Sequence, residues 1–351
     1  MNNPHKSCRS RAPMRIGLGG GGTDVNPFCN NFGSAVLNVT IAKYAHSTIT
    51  NTKNEKSVLI SQDRNYSEEA TMKAIMNYDI SNINKDIRFQ VAALQYFNKK
   101  LNLRPREQIE FTSMCDTYHG SGLGASSAIL VSQIKCLSKY FDYVLDDYEL
   151  AEIAIQIERN ICNISGGFQD QYASAFGGFN YLESSIGKSD SITVHSLKIP
   201  NWIKAELTSR MLMLHVDRIN DIEEIFSDMK GHNVENILLQ MKNLTINLKN
   251  QLLKGKLDEF TKIFGDLWDL KQKTSNKILP SNLKSIYDFA IKNGAISGKV
   301  SGAGGGGFFV FLCNPKKKGG LIRSLQSMNS RVENVVFDEL GAQSWEINDS
   351  I

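Results

Sequence analysis

The segment Gly120-Ser-Gly-Leu-Gly-Ala-Ser-Ser-Ala128 sets a flexible glycine loop directly against hydroxyl side chains. Such a loop offers several backbone N–H groups to an anion, and a helix that starts there adds positive potential at its N-terminus. Gly120, Ser121, Gly122, Leu123, Gly124, Ala125, Ser126 and Ser127 are therefore candidate phosphate ligands, and Ser126 or Ser127 can offer a hydroxyl to Mg2+. The lysine that a GxxxxGK[ST] loop requires is absent. Glu158, and Asp170 in Gly166-Gly-Phe-Gln-Asp-Gln171, supply carboxylates nearby in the chain. Phosphoryl transfer needs a metal ligand and a group that orients or deprotonates the attacking hydroxyl, and two carboxylates can fill those posts. With 36 acidic residues a solvent-facing pair is the ordinary expectation, and Arg15 reads equally well as a surface charge.

Glycine is concentrated in patches. Five of the six residues from Gly17 to Gly22 are glycine, as are five of the six from Gly302 to Gly307. Three patches satisfy GxGxxG or GxGxxA, so a nicotinamide or flavin enzyme is the first alternative. That fingerprint needs a strand before, a helix after and an acidic residue about 20 positions on. The first patch leads to Thr23-Asp24 rather than a helix, and the third enters the apolar run Phe308-Phe-Val-Phe-Leu-Cys313. The second has its strand and helix but no evident second strand.

The elements that must position these groups follow from periodicity and end signals. Strands are expected at residues 15–18, 34–50 (one or two), 58–61, 109–114, 308–313 and 332–338. Helices are expected at 86–100, 126–141, 146–161 (capped by Asp146 with Glu149 three residues on), 221–254 in pieces, 257–273, 283–293 and 321–328. Lys316-Lys317-Lys318 reads as a solvated turn. Strand-rich sequence precedes helix-rich sequence, which suggests domains at 1–190 and 191–351 with a boundary near residues 185–205.

Length and composition set the outer limits. The 351 residues, 41% hydrophobic and 22% charged, suffice for one large or two medium domains. A formal charge of +4 is too small to argue for nucleic acid. No run reaches the ~18 apolar residues of a membrane span. The first residues carry no apolar export signal, and six scattered cysteines without a CxxC pair fit reduced thiols in a cytoplasmic protein. No histidine pair has zinc-ligand spacing.

In order along the chain, Arg11-Ala-Pro-Met-Arg-Ile-Gly-Leu-Gly-Gly-Gly-Gly-Thr-Asp24, Gly120–Ala128 and Lys299-Val-Ser-Gly-Ala-Gly-Gly-Gly-Gly307 resemble the three motifs of the GHMP small-molecule kinase superfamily. The resemblance implies an α+β fold of two domains, the first like ribosomal protein S5 domain 2 and the second a ferredoxin-like plait, with the site in their cleft. It implies ATP and Mg2+ as cofactors. Asp170 would be base or orienting group, and Arg15 would stabilise the transferring phosphoryl. Ser126 and Glu158 would hold Mg2+, and Gly120–Ser126 would cradle the ATP phosphates. Thr23 and Asp24 would contact the sugar, as would Gly166 and Gly167, with Gly304 and Gly305 in the floor.

Within the superfamily, Gly20-Gly-Gly-Thr-Asp24 and Gly33-Ser-Ala-Val-Leu-Asn-Val-Thr40 look most like the bacterial heptose 7-phosphate kinases. This implies transfer to an anomeric hydroxyl, giving a 1,7-bisphosphate for activated heptose used in capsule, lipopolysaccharide or S-layer glycans. The alternatives are a fucokinase-like 1-kinase and an inactive sugar-sensing regulator, with the protein a monomer or homodimer free of membrane and nucleic-acid partners. Gly21-Gly22 stand where galactokinases carry Glu-His, and Tyr118-His119 stand where the second motif usually opens with proline. Arg11, Lys43 and Arg64 are candidates for a sugar's 7-phosphate.

Overall fold

The computed structural model describes residues 6–118, 120–188, 191–219, 222–229, 232–328 and 330–347. His119 and residues 189–190 of the proposed boundary stretch lie outside them. In chain order the strands are β1 (Ser7–Gly19), β2 (Ser34–Thr52), β3 (Ser57–Ser61), β4 (Tyr66–Ala70), β5 (Gln108–Cys115) and β6 (Phe179–Ser184). They continue with β7 (Ile192–Ser196), β8 (Met211–Val216), β9 (Ala295–Val300), β10 (Gly307–Cys313), β11 (Val332–Asn334) and β12 (Gln343–Ile347). The helices are α1 (Phe28–Phe32), α2 (Met72–Ile75), α3 (Arg88–Leu101), α4 (Ala125–Tyr140), α5 (Asp147–Ile155) and α6 (Gln169–Phe176). After them come α7 (Asn201–Arg210), α8 (Ile222–Asp228), α9 (His232–Leu253), α10 (Leu257–Gln272), α11 (Ser281–Lys292) and α12 (Pro315–Gln326).

Eight strands form the larger sheet in the order β12-β1-β2-β5-β3-β4, with β6 on β2 and β7 on β6. The 19-residue β2 organises it: its first part pairs with β6 and its second with β5, while β1 runs along both. The smaller sheet, β11-β8-β10-β9, is antiparallel throughout. The expected α+β arrangement in two sheet-centred units is present.

The expected division at residue 190 is not where the sheets divide. β7, beyond it, pairs with β6, and β12 near the end returns to pair with β1. The chain thus opens in the larger sheet, builds the smaller one and closes back onto the first. Neither of these short segments announces itself in sequence, because its partner lies far away along the chain.

Apolar packing joins the two units. One core fills the space between the larger sheet and α3, α4, α5 and α6, around Phe97, Phe111 and Tyr172. A second is shared: Met14, Ile16 and Leu18 of β1 pack with Phe260, Phe264 and Leu267 of α10 and with Phe308 and Val310 of β10. Burial of this kind yields about 25 cal/mol per Å². Because it crosses between the sheets, it fixes their relation at the cavity. Lys316–Lys318, expected as a turn, lie in α12, where Asn314 caps the helix and Pro315 occupies its first position.

Candidate active site

Arg15 lies in the second half of β1, and an irregularity in strand pairing decides where it points. Ser10, an even position, faces α4, where its hydroxyl donates to the Ser132 carbonyl at 2.7 Å. The β1–β2 register shifts between Pro13 and Met14. Beyond the shift an odd position faces the helices, since a register slip exchanges the two faces of a strand. Arg15 Nε donates to Asp170 Oδ1 at 2.7 Å, Nη2 lies 2.6 Å from the same oxygen, and Nη1 donates to the Gly122 carbonyl at 2.6 Å. One buried guanidinium therefore ties the first-turn carboxylate of α6 to the glycine loop.

That loop rests on the third patch. Gly122 has a φ of 73°, and a Cβ there would stand 2.3 Å from the Ser301 carbonyl oxygen, so no other residue fits. The Phe308 N–H donates to Ser121 O at 3.0 Å. Arg218 clamps the two patches, donating to the carbonyls of Gly120 at 3.0 Å, Gly304 at 3.0 Å and Gly306 at 3.3 Å. Among the described residues no side chain caps α4, so its first-turn N–H groups face the cavity without a capping partner.

Several expected ligands have structural positions instead. Gly302 and Ala303 line the cavity, but Gly304 and Gly305 do not: the Gly305 N–H donates to Ile278 O at 2.9 Å, and Gly304 packs against the same residue. Thr23 is wholly buried and braces its turn, donating to Gly20 O at 2.7 Å and Ala35 O at 3.1 Å. Leu123 points into the core, and its carbonyl accepts the Arg15 N–H at 2.9 Å. Arg11 bonds to Gln343 and Lys43 pairs with Glu333 at 2.7 Å, both away from the cavity. Arg64 lines it, with Asp63 at 4.0 Å and Asp86 at 3.9 Å.

Asp24, by contrast, is at the cavity wall. Its carboxylate accepts from the Gly22 N–H at 3.0 Å and from the Gln169 N–H and Nε2 at 3.3 Å each. Burial raises its pKa above the ordinary carboxylate value, hydrogen bonds from Gly22 and Gln169 oppose the rise, and the Asp170 charge adds to it. Gly167 makes the close approach possible: a Cβ there would lie 2.0 Å from Asp24 Oδ2. Arg159 holds this loop by donating to the Gly167 carbonyl at 3.2 and 2.6 Å.

The capped helix ends as an α-helix at Ile155 and continues as one wide π turn, Gln156–Ile161, that carries Glu158. Such turns displace one residue from the helical register and are frequent at functional sites. Glu158 Oε2 accepts from Ser127 Oγ at 2.8 Å and from Gln171 Nε2 at 2.5 Å, so the hydroxyl on this carboxylate is that of Ser127, not Ser126. Ser126 is exposed to the cavity. Beside them the side-chain amide oxygen of Gln171 is buried without a hydrogen-bond partner among the described residues, outside the cavity lining. A carboxylate and two hydroxyls lining the cavity next to a phosphate loop are an all-oxygen donor set, which fits Mg2+ completed by water and nucleotide phosphates.

Lys271, in the last turn of α10, carried no motif that could have singled it out. It lines the cavity, and its ammonium donates to Gly302 O at 2.5 Å. Burial and the nearby Arg15 charge push its pKa down to about 8, against an opposing pull from Asp24. Lys299, also buried, is held well below the ordinary lysine value by burial and by the charges of Lys271 and Arg15.

Arg15, Asp24, Ser126, Glu158, Asp170 and Lys271 all line one cavity of about 620 Å³. A second depression of about 890 Å³ beside Trp202 and Gly255 is more open, and its Arg210 is already paired with Glu206 and Asp258. The first has convergent polar groups and is the candidate site.

Comparison with known proteins gives an independent view. Residues 88–178 match the GHMP kinases N terminal domain, and residues 248–330 match the GHMP kinases C terminal domain. The chain is 34% identical over 349 residues to D-glycero-alpha-D-manno-heptose 7-phosphate kinase of Campylobacter jejuni, covering 97% of this chain and 100% of that one. It is 23% identical to L-fucokinase/L-fucose-1-P guanylyltransferase of Bacteroides fragilis over 94% of this chain but only 37% of that protein. Among solved structures, a D-glycero-D-manno-heptose 1-phosphate kinase from Bacteroides thetaiotaomicron superimposes with a TM-score of 0.81 at 32% identity, covering 97% of this chain and 100% of that one. Lactococcus lactis galactokinase, at 14% identity and a TM-score of 0.74 over 96% and 95% of the two chains, shares the fold.

Proposed function

The chain belongs to the GHMP kinase family, and from that premise we propose that it transfers the γ-phosphoryl group of ATP to the anomeric hydroxyl of D-glycero-D-manno-heptose 7-phosphate. The products are the 1,7-bisphosphate and ADP. The observation that carries the reading is the meeting of Arg15, Asp170 and the Gly122 carbonyl at one point of the cavity wall. There the phosphate loop and a carboxylate aimed at an acceptor are held by the same guanidinium.

In this reading the loop Gly120–Ser127 and the N-terminus of α4 bind the nucleotide phosphates. Asp170, with Oδ1 held by Arg15, offers its other oxygen to the O1 hydroxyl and aligns it in line with the phosphorus, where it accepts the proton as the new bond forms. Arg15 faces the equatorial oxygens of the group in transit. Asp24, fixed by three hydrogen bonds, orients the sugar hydroxyls. Glu158, with Ser126 and Ser127, would hold Mg2+, which would supply positive charge to offset that of the phosphates. Turnover occurs in the cytoplasm, where ATP is available and the six cysteines stay reduced.

The test is ADP release across a panel of heptose 7-phosphate, unphosphorylated heptose and L-fucose. Turnover on heptose 7-phosphate well above the others is expected. Activity confined to L-fucose would reassign the acceptor, and no ATP turnover on any sugar would make the fold a sensor.

A further inference from the structure

We propose that the Lys271 ammonium is the ligand for the phosphate group that the acceptor already carries, an assignment that rests on the sugar-phosphate reading above. Of the six other cations that line the cavity, four are engaged; the remaining two are Lys85 and Arg88, whose Nε is buried without a hydrogen-bond partner among the described residues. Arg15 is taken by Asp170 and Gly122, Arg159 by the carbonyls of Ile164 and Gly167, and Arg218 by three glycine carbonyls. Arg64 lies between Asp63 at 4.0 Å and Asp86 at 3.9 Å.

Lys271 differs from the four engaged cations. It is only 7% exposed, and no carboxylate of the described residues lies within 4 Å of it. Among the described residues its single hydrogen bond goes to the neutral carbonyl of Gly302. An ammonium has three N–H donors, so two remain. A buried cation that lacks a counter-ion is costly to keep, and the cost is offset when an anion arrives.

Position then selects which anion. A Cβ built on Gly21 would stand 3.9 Å from Lys271 Nζ, and Gly21 lies in the turn that ends at Asp24. Lys271 therefore reaches the turn that ends at Asp24, where the acceptor sits, from its anchor on Gly302, which packs against Gly122 of the nucleotide loop. The N-terminus of α4 and the Glu158 donor set already serve the nucleotide's phosphates. The ligand class is a phosphomonoester on the sugar carbon remote from the anomeric centre.

The experiment uses full-length Lys271→Met, which keeps the length of the side chain and removes the charge. Binding of heptose 7-phosphate and of unphosphorylated heptose is measured by calorimetry without ATP, alongside acceptor KM, kcat and Tm. Expected is a loss on the order of 10- to 100-fold in affinity for the phosphorylated sugar, the scale of one or two charge-assisted hydrogen bonds. Affinity for the unphosphorylated sugar should be unchanged, KM should move rather than kcat, and Tm should be equal or higher because an unpaired buried charge is gone. Equal loss for both sugars, a fall in kcat alone, or a lower Tm with unchanged affinity would overturn the assignment. A wild-type protein that turns over no heptose 7-phosphate refutes the proposed function separately. The same pair of measurements is then made with mannose 6-phosphate and mannose, and a wild type that prefers the unphosphorylated partner in both pairs overturns the Lys271 assignment too.

Discussion

Arg15 and Asp170 form a two-point contact on a single oxygen: Nε at 2.7 Å and Nη2 at 2.6 Å both meet Oδ1. The other carboxylate oxygen turns toward the glycine loop, 3.2 Å from where a Cβ on Gly124 would be. A guanidinium fork fixes the plane of the carboxylate as well as its position, which a lysine would not. If this carboxylate aligns the acceptor hydroxyl, Asp170→Asn keeps the shape but not the charge. Turnover should fall on the order of 10²-fold or more while the ATP dissociation constant stays the same. Single-turnover kinetics and nucleotide titration check it, and near-normal turnover would remove Asp170 from the reaction.

Glu158 gives a second prediction, concerning metal. Glu158→Gln keeps an oxygen for Ser127 and Gln171 but removes the charge that attracts a cation. Activity should then need on the order of 10- to 100-fold more Mg2+ to reach half its maximum. Titration of activity with MgCl2 at fixed ATP measures the midpoint. An unchanged midpoint would leave Glu158 as a buried partner for Ser127 and nothing more.

Gly167 tests the acceptor wall. Its replacement by Ala places a methyl 2.0 Å from Asp24 Oδ2, in a pair already constrained by Arg159 on one side and Gln169 on the other. Overpacking of this kind costs about 1–3 kcal/mol. Acceptor KM should rise and Tm fall, with nucleotide binding preserved because the phosphate loop is untouched.

Thiol chemistry provides a prediction independent of substrate. Burial pushes the Cys8 thiol up to about 11 and those of Cys115 and Cys162 up to about 12. The thiolate is the nucleophile, and a raised pKa keeps it scarce until strongly alkaline pH. N-ethylmaleimide at pH 7 should therefore leave activity intact on the timescale in which a free thiol reacts completely, even though Cys115 lines the cavity. Rapid inactivation at pH 7 that ATP prevents would show an accessible thiolate there.

Local signals carried much of this architecture into the sequence. Asp146 and Glu149 form the expected capping box, the loop 120–128 opens α4, and 307–313 is a strand. What depended on distant partners was not readable. β12 and β7 are defined by pairing with β1 and β6. The facing of Arg15 depends on a register shift against β2. The third glycine patch looked like a second ligand loop, yet most of it is small because Ser121, Arg218 and Ile278 crowd it. Thr23 follows the same logic: the family resemblance implies a sugar contact, and the fold shows its hydroxyl spent on Gly20 and Ala35. Lys271 shows the reverse, an unremarkable helical lysine made chemically distinct by what surrounds it.

The lowered pKa of Lys271 gives the pH dependence a definite sign. Burial, the largest cause, and Arg15 from β1 disfavour its charged form, Asp24 favours it, and the balance places it at about 8. In the free protein the ammonium is present below that pH and lost above it. A phosphorylated acceptor binds the charged form, so kcat/KM should decline as pH rises past about 8, while kcat at saturating acceptor holds to higher pH because the bound anion raises the pKa. In Lys271→Met this alkaline decline should vanish from kcat/KM. The same group has the opposite effect on folding. The unfolded chain, with an ordinary lysine, holds the proton up to about 10.5, so this residue's contribution to stability increases between about 8 and 10.5. Cys8 and Cys115 act against it there, because their thiols ionise in the unfolded chain first. The difference in Tm between wild type and Lys271→Met across pH 7 to 10 isolates the lysine: the variant's advantage should shrink as pH rises, and a constant difference would mean that Lys271 does not titrate in this range.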